Sequence, residues 1–475
     1  MQIYNTLSRR KEEFKPLKKG ELLMYHCGPT VYWTQHIGNM RAMVLADLVI
    51  RSFKYLGYKT KLVRNYTDVG HLTSDADEGE DKLAKTAQAE SLSPEEVAKK
   101  YTQEFDKDLK HLNTLEADKK PKATECIKDM QKMIQVLLEK NFAYATDLAI
   151  YFDVSKAENY TALSRQNLDE LIKGAGKAEV YDLDKKSPLD FALWFFKAGK
   201  HKNALQTWKS PFESKLVANG EGFPGWHLEC SVMANKFLGP TIDIHMGGVE
   251  HISIHHTNEI AQSEAANEVK FVNYWLHNEH LSMDGGKMSK SAGTSYNLAD
   301  IINKGYNPLA LRYFFLSAHY RSKQNFTWSA LDAAQTALDR LYNFMQTELN
   351  PPAVRKDKKG LDEKSYVEIF KKYISDDFNI PQALALIWDV IKSGLDYKTK
   401  KKLLLDFDLV LGLNLNKPPK KLGIEIPEKV KKLADEREKA RSKKDWDEAD
   451  ALRNKIEKTG FKVEDSSAGP KISKY

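Results

Sequence analysis

Leu22-Leu23-Met24-Tyr25-His26-Cys27-Gly28-Pro29 reads as an apolar strand that ends in a turn. From Asn39 to Tyr55 apolar residues return at helical spacing (Met40, Val44, Leu48, Phe53), and Gly57 is the stop. Lys61–Asn65 then reads as a second strand. Strand, helix and strand in that order make a βαβ unit, which predicts a parallel α/β core. His36, in His36-Ile37-Gly38-Asn39, stands near the start of the crossover helix. Ligands of such cores gather at the carboxyl ends of the strands, so the location is chemically sensible.

A second motif lies far downstream. Lys287-Met288-Ser289-Lys290-Ser291 places two lysines on a loop that follows Asp284-Gly285-Gly286 and a strand-like run, Val272–His280. A Lys ammonium is a compact point charge suited to phosphate. Two of them can follow charge as an α-phosphate is attacked and pyrophosphate departs. His36 and Gly38 supply what the lysines lack: an imidazole, and a residue that lets a ligand approach the backbone at a helix start. Each motif alone is weak, because a lone histidine is usually packed or solvated and a lysine loop is usually solvated. Together they point to the phosphates of ATP.

The 475 residues suggest about three domains. A hydrophobic content of 41% and a charged content of 29% fit a globular protein, and no apolar run approaches a membrane span. Met1-Gln2-Ile3-Tyr4 lacks a signal core, and Glu12 and Glu13 closely follow Arg9, Arg10 and Lys11, so a cytoplasmic location is expected. A net charge of +7 permits a polyanionic partner without demanding one. Cys27, Cys126 and Cys230 are too few for a disulfide framework, and cysteine in a reducing compartment is a ligand, a nucleophile or simply buried.

Helical patterns run from Pro94 to Glu139. Ala143–Asp153 and Ser187–Trp194 read as strands or buried segments of an insertion, within which Phe195–Gln206 has no assignable role. Pro224–Cys230 and Thr241–Met246 return to the core, and long helices dominate from Pro308. Asn414–Pro427, with Lys417-Pro418-Pro419-Lys420-Lys421, is a linker. Beyond it Glu428–Lys458 is a highly charged helical segment with Trp446 and Leu452 among its apolar anchors. The expected division is a core first half at 1–120, an insertion at 121–223, a core second half at 224–306, a helical domain at 307–413, a linker at 414–427 and a small domain at 428–475.

A metal constellation is also present. Cys230 closes Gly225-Trp226-His227-Leu228-Glu229-Cys230, and His255 and Glu259 are four apart, on one face of a helix. Cys27 ends the first strand. Two thiolates, an imidazole and a carboxylate are sound zinc ligands, though the spacing is no zinc-finger signature and His256 is an alternative to His255. Cys126 has no ligand neighbours and reads as structural.

These residues resemble cysteinyl-tRNA synthetase, a class I aminoacyl-tRNA synthetase, over nearly the whole chain. Tyr25–Tyr32 is similar to the family's opening motif, His36–Asn39 to its HIGH signature, and Lys287–Ser291 to its KMSKS loop. Gly225–Cys230 and His255–Ser263 resemble the rest of its active site. Leu311–Phe314, Asp376–Asn379 and Ala434–Val463 resemble its helical and C-terminal parts. Asn39 departs from the last histidine of HIGH: it still donates a hydrogen bond, but not as a cation.

The resemblance implies a Rossmann-like α/β catalytic core with an insertion, a helical DALR-like tRNA-binding domain and a small anticodon-recognition domain. It implies a monomer that joins L-cysteine to tRNA(Cys) with Mg-ATP, with one zinc ion on Cys27, Cys230, His255 and Glu259. His36, Lys287 and Lys290 would be catalytic; Thr30, His36, Gly38, Asn39 and Lys290 would bind ATP; Gly28, Thr67 and Trp226 would bind the amino acid. A ligase that joins cysteine to a small amino-sugar would share only the catalytic part, whereas this chain keeps the helical and C-terminal modules.

Overall fold

The computed structural model describes residues 1–70, 82–167, 182–283, 285–286, 295–347, 360–417, 427–443, 445–464 and 470–474. An N-terminal hairpin pairs β1 (Gln2–Asn5) with β2 (Arg10–Glu13). The βαβ unit follows as β3 (Glu21–His26), α1 (Ile37–Tyr55) and β4 (Lys59–Arg64). α2 (Lys82–Glu90), α3 (Pro94–His111) and α4 (Ile127–Glu139) come next. The helical pattern expected from Pro94 to Glu139 is thus two helices: α3 ends at Leu112, and Asn113 follows with φ 52°. The insertion holds an antiparallel sheet of β5 (Ala143–Ala145), β6 (Ala149–Phe152), β7 (Phe191–Phe196) and β8 (Gly222–Pro224). The chain then re-enters the core through α5 (Trp226–Leu238), β9 (Ile242–Gly248), α6 (His255–Asn267) and β10 (Val272–Asn278).

The central sheet has the order β10-β9-β3-β4, and every pairing is parallel. The crossovers from β3 and β9 leave in opposite directions, so the carboxyl ends of these two neighbours open a crevice between them. Met24, Ile244 and Leu276 pack on the face under α1, while Tyr25, Val63 and Trp275 pack on the opposite face with residues of α5 and α6. This alternation is the two-residue period of a strand buried on both sides. α1 is itself enclosed on most sides, which is why apolar residues are not confined to one stripe.

β11 (Leu281–Met283) and α7 (Leu298–Asn303) flank the lysine motif. A helical bundle follows: α8 (Pro308–Leu316), α9 (Trp328–Gln346), α10 (Glu363–Ser375), α11 (Ile380–Lys392) and α12 (Tyr397–Leu411). Between α8 and α9, β12 (Gln324–Phe326) pairs in parallel with β11. Leu48 and Phe53 of α1 share one contiguous core with Leu311, Phe370 and Phe407 of the bundle, where the Phe370 and Phe407 rings stack at 4.1 Å. The C-terminal module is α13 (Glu428–Ser442), α14 (Trp446–Glu457) and the hairpin β13 (Phe461–Glu464) with β14 (Lys471–Lys474). Leu452 is an anchor there, but Trp446 is not: it is 56% exposed at the first turn of α14, beyond the reach of the small core around Leu433, Ala440 and Ala449.

Candidate active site and metal centre

His36 is the N-cap of α1, and its Nδ1 accepts a hydrogen bond from the Asn39 amide at 3.3 Å. This places the imidazole at the positive end of a helix, where anions bind. His36 and Asn39 line a cleft of about 270 Å³ with Thr30, Thr67 and Trp226, at the carboxyl ends of β3, β4 and β9. Gly38 is the second residue of α1. Gly28 is required for the close passage of two loops: a Cβ there would stand 1.7 Å from the Asn65 carbonyl oxygen. The Gly28 amide instead donates to Asn65 Oδ1 at 2.8 Å. The Trp226 ring stacks on His255 at 4.3 Å.

Four buried side chains, Cys27, His255, His256 and Glu259, bring their ligand atoms within 4.8 Å of one another. Cys230 Sγ is 4.0 Å from Cys27 Sγ. His256 Nε2 is 3.4 Å from Cys27 Sγ, and His255 Nε2 is 3.0 Å from Glu259 Oε1. Both histidines left open by the sequence therefore reach the cluster. Glu259 Oε1 is enclosed and has no hydrogen bond of acceptable alignment despite that short approach. A buried carboxylate oxygen without an aligned donor, set among sulfur and nitrogen ligand atoms, fits a shared cation. Sulfur, nitrogen and carboxylate oxygen together suit zinc.

The electrostatics favour two of the candidate ligands, Glu259 and Cys230. Burial pushes the Glu259 carboxyl up, but His245 and His255 outweigh it and hold the pKa at about 2. The Cys230 thiol is drawn down to about 6, first by its contact with Cys27. Burial pushes the Cys27 thiol up and the His256 imidazole well down. A carboxylate and a thiolate are thus available at neutral pH beside the uncharged His256. Burial pushes the His255 imidazole down, but Glu259 and Cys230 outweigh it and raise its pKa to about 10, so a metal bound there would displace a proton.

The structure gathers Cys27, Gly28, Thr30, His36, Asn39, Thr67, Trp226, Cys230 and His255 around one cleft, with Glu259 behind it. Lys287 and Lys290 lie outside the described residues. Just beyond them, Tyr296 accepts from the Ile37 amide at 2.8 Å, and Asn297 forms a β-bridge with His36. Cys126 is buried away from the cluster, with Lys236 Nζ at 3.8 Å.

Sequence reasoning missed the groups that touch the candidate ligands. His245 Nε2 is 2.9 Å from Glu259 Oε2, His277 Nε2 is 2.8 Å from His256 Nδ1, and His227 Nδ1 is 3.0 Å from His255 Nδ1. Thr67 donates to the buried Glu229 at 2.8 Å. One signal was available: seven of the 13 histidines (His227, His245, His251, His255, His256, His277, His280) fall within 227–280. Gln206, in the unassigned part of the insertion, donates to the Asp68 carbonyl at 3.1 Å.

Comparison with known proteins gives this geometry its context. The family described as "tRNA synthetases class I (C) catalytic domain" matches residues 13–336, and that described as "Cysteinyl-tRNA ligase anticodon binding domain" matches residues 425–469. A cysteine--tRNA ligase 1 of Burkholderia lata is 41% identical over 99% of this chain and 96% of its own length. A cysteine--tRNA ligase of Treponema denticola is 39% identical over 98% of each. In fold the chain is similar to Mycobacterium tuberculosis methionyl-tRNA synthetase bound to methionyl-adenylate, with TM-scores of 0.54 and 0.55, covering 83% and 85% of this chain and 90% and 93% of those structures, at 12% identity. No described helix is long and apolar enough to cross a membrane. A parallel core with its crevice at the β3/β9 switch, two matching family descriptions and near-full-length identity of about two residues in five all agree: the chain belongs to the cysteine--tRNA ligases, enzymes of the class I aminoacyl-tRNA synthetases.

Proposed function

We propose that the chain activates L-cysteine with Mg-ATP, transfers it to tRNA(Cys), and selects cysteine over serine at the cluster around Cys27 and Glu259. In the first step the cysteine carboxylate attacks the α-phosphate in line, forming cysteinyl-adenylate and releasing pyrophosphate. In the second, a hydroxyl of the tRNA's terminal adenosine attacks the adenylate carbonyl, giving Cys-tRNA and AMP. No protein nucleophile takes part; the chain positions the reactants and stabilises developing charge.

His36, at the helix N-terminus, donates to the transferring phosphate, joined by Lys290 and assisted by Lys287. Thr30, Gly38 and Asn39 hold the nucleotide. Gly28, Thr67 and Trp226 wall the amino acid. Cys27, Cys230, His255 and Glu259 would hold the metal, with His256 in reach of the same site. Zinc there supplies a soft Lewis acid that binds a thiol as thiolate far better than it binds a hydroxyl. Shape alone discriminates poorly between substrates that differ by one atom. The chain acts as a monomer in the cytoplasm.

The observation that carries this reading is the Cys27–His255–His256–Glu259 cluster beside the cleft that His36 borders. The test is transfer of labelled cysteine to acid-precipitable tRNA, with serine as control. Charging by cysteine alone is expected. Absence of charging by folded, zinc-replete protein with a cognate tRNA would sink the reading.

A further inference from the structure

Arg41, Arg64 and Arg312 are among the largest side chains wholly enclosed by the fold. Two of them are answered. Arg312 Nη2 meets Asp47 Oδ2 at 2.6 Å. Arg41 donates to the carbonyls of Glu279, His319 and Ser322 and to Gln324 Oε1. Arg64 is different. It ends β4 opposite His26 of β3, and its Nε donates to His26 Nδ1 at 3.3 Å. Its Nη2 is enclosed with no hydrogen-bond partner, and Asp47 and Asp106 act on it only from beyond ion-pair contact among the described residues. A guanidinium keeps its proton in a protein, and a buried charge without a counter-charge is costly. One with no acidic group in contact, beneath a ligand cleft, suits an anion that the ligand supplies.

His26 connects that charge to the cleft. It is 1% exposed and lines the same cleft as His36 and Asn39. Leu22, Met24 and His26 alternate onto the α1 face of the sheet, and Met43 of α1 lines the cleft beside them. Arg64 can only donate, so His26 Nδ1 accepts and the ring proton sits on Nε2. That Nε2 is also enclosed without a partner. The pair is a hydrogen-bond donor backed by a positive charge that no acidic group contacts, in the wall of the cleft.

We propose that Arg64, acting through His26, is a positioning residue for the triphosphate of ATP. The inference rests on the activation chemistry proposed above and adds a positive support under the sheet to the His36 and lysine side of the site. The charge serves the polyanion and leaves the amino acid and the metal untouched.

The test compares Arg64→Met, Arg64→Lys and His26→Phe with the wild-type chain in cysteine-dependent ATP–pyrophosphate exchange, varying ATP and cysteine separately. Metal content and thermal midpoint are measured on each. Arg64→Met is expected to raise the KM for ATP about tenfold, as for loss of one charge at partly screened range. The KM for cysteine and the metal content stay at wild-type values, and the thermal midpoint holds or rises, because a buried unpaired charge has gone. His26→Phe shifts the ATP KM in the same direction, and Arg64→Lys restores part of it. An unchanged ATP KM in Arg64→Met and His26→Phe, an equal rise for cysteine, or an effect confined to the tRNA KM in charging overturns the proposal. An Arg64→Met chain that fails to fold overturns it too, since the charge would then serve the fold. A wild-type chain without exchange would sink the activation reading instead, and calorimetric ATP binding on the same variants would still test Arg64.

Discussion

Arg312 of α8 donates through Nη2 to Asp47 Oδ2 of α1 at 2.6 Å, and neither side chain is exposed. Arg312 also donates from Nε to the Leu411 carbonyl at 2.6 Å and from Nη1 to the Leu112 carbonyl at 2.9 Å. Arg51 adds a second contact to Asp47 at 2.8 Å. One guanidinium thus ties the helix that His36 caps to the helical bundle and to the end of α3.

Removing Asp47 leaves the buried Arg312 without its carboxylate, and removing Arg312 leaves the buried Asp47 with Arg51 alone. Asp47→Asn and Arg312→Met are each expected to destabilise the chain by about 3–5 kcal/mol in denaturant unfolding, and the double variant by clearly less than the sum. Burial pushes the Asp47 carboxyl up, but Arg312 and Arg51 outweigh it and hold it below the usual range. The stability it contributes is present above the ordinary carboxylate pKa and is lost as pH falls through the depressed value.

Asp108 of α3 titrates in the opposite sense. Burial, helped by Glu104, raises its pKa to about 7. Its neutral form suits the fold, so stability is full below the unfolded pKa and is lost as pH rises to about 7. Asp108→Asn is expected to flatten this part of the stability–pH profile and to stabilise the chain above pH 7. Thermal midpoints of both chains between pH 4 and 8 decide it, and parallel profiles would refute the assignment.

His245 touches Glu259 rather than the ligand space itself. His245→Gln is expected to weaken metal binding by about 10–100-fold while the chain stays folded. Competition with a chelator of known affinity, read by metal analysis, measures this. If zinc occupies the cluster, chelation is expected to lower the thermal midpoint of the wild-type chain, because the folded state then loses a bound ligand.

In the C-terminal module Trp446→Ala is expected to change stability by less than about 0.5 kcal/mol, because the indole is largely exposed. Leu452→Ala is expected to cost roughly 2–5 kcal/mol of local stability. Hydrogen exchange of α13 and α14 distinguishes the two.

The βαβ unit was legible because its signals are local: an apolar run, a turn at Cys27-Gly28-Pro29, and a 3.6-residue period. The helix begins at Ile37 rather than Asn39 because His36 acts as its cap. Trp446 misled because a large apolar residue in a charged segment was read as an anchor, whereas its position on α14 turns it to solvent. The shell of His227, His245 and His277 was illegible, since nothing local separates a ligand-orienting histidine from a packed one.

By itself the sequence determined the order of elements, the donor types near the cleft and the family to which the motifs point. Only the tertiary structure decided that Cys27 and His256, 229 positions apart, lie 3.4 Å from each other. The cause is the parallel sheet: β3 and β9 run side by side in the same direction, so residues following their carboxyl ends meet whatever their separation in the chain. Burial was decided there too. Whether a charge such as Arg64 finds a counter-ion depends on which strands and helices enclose it, and that information is not local.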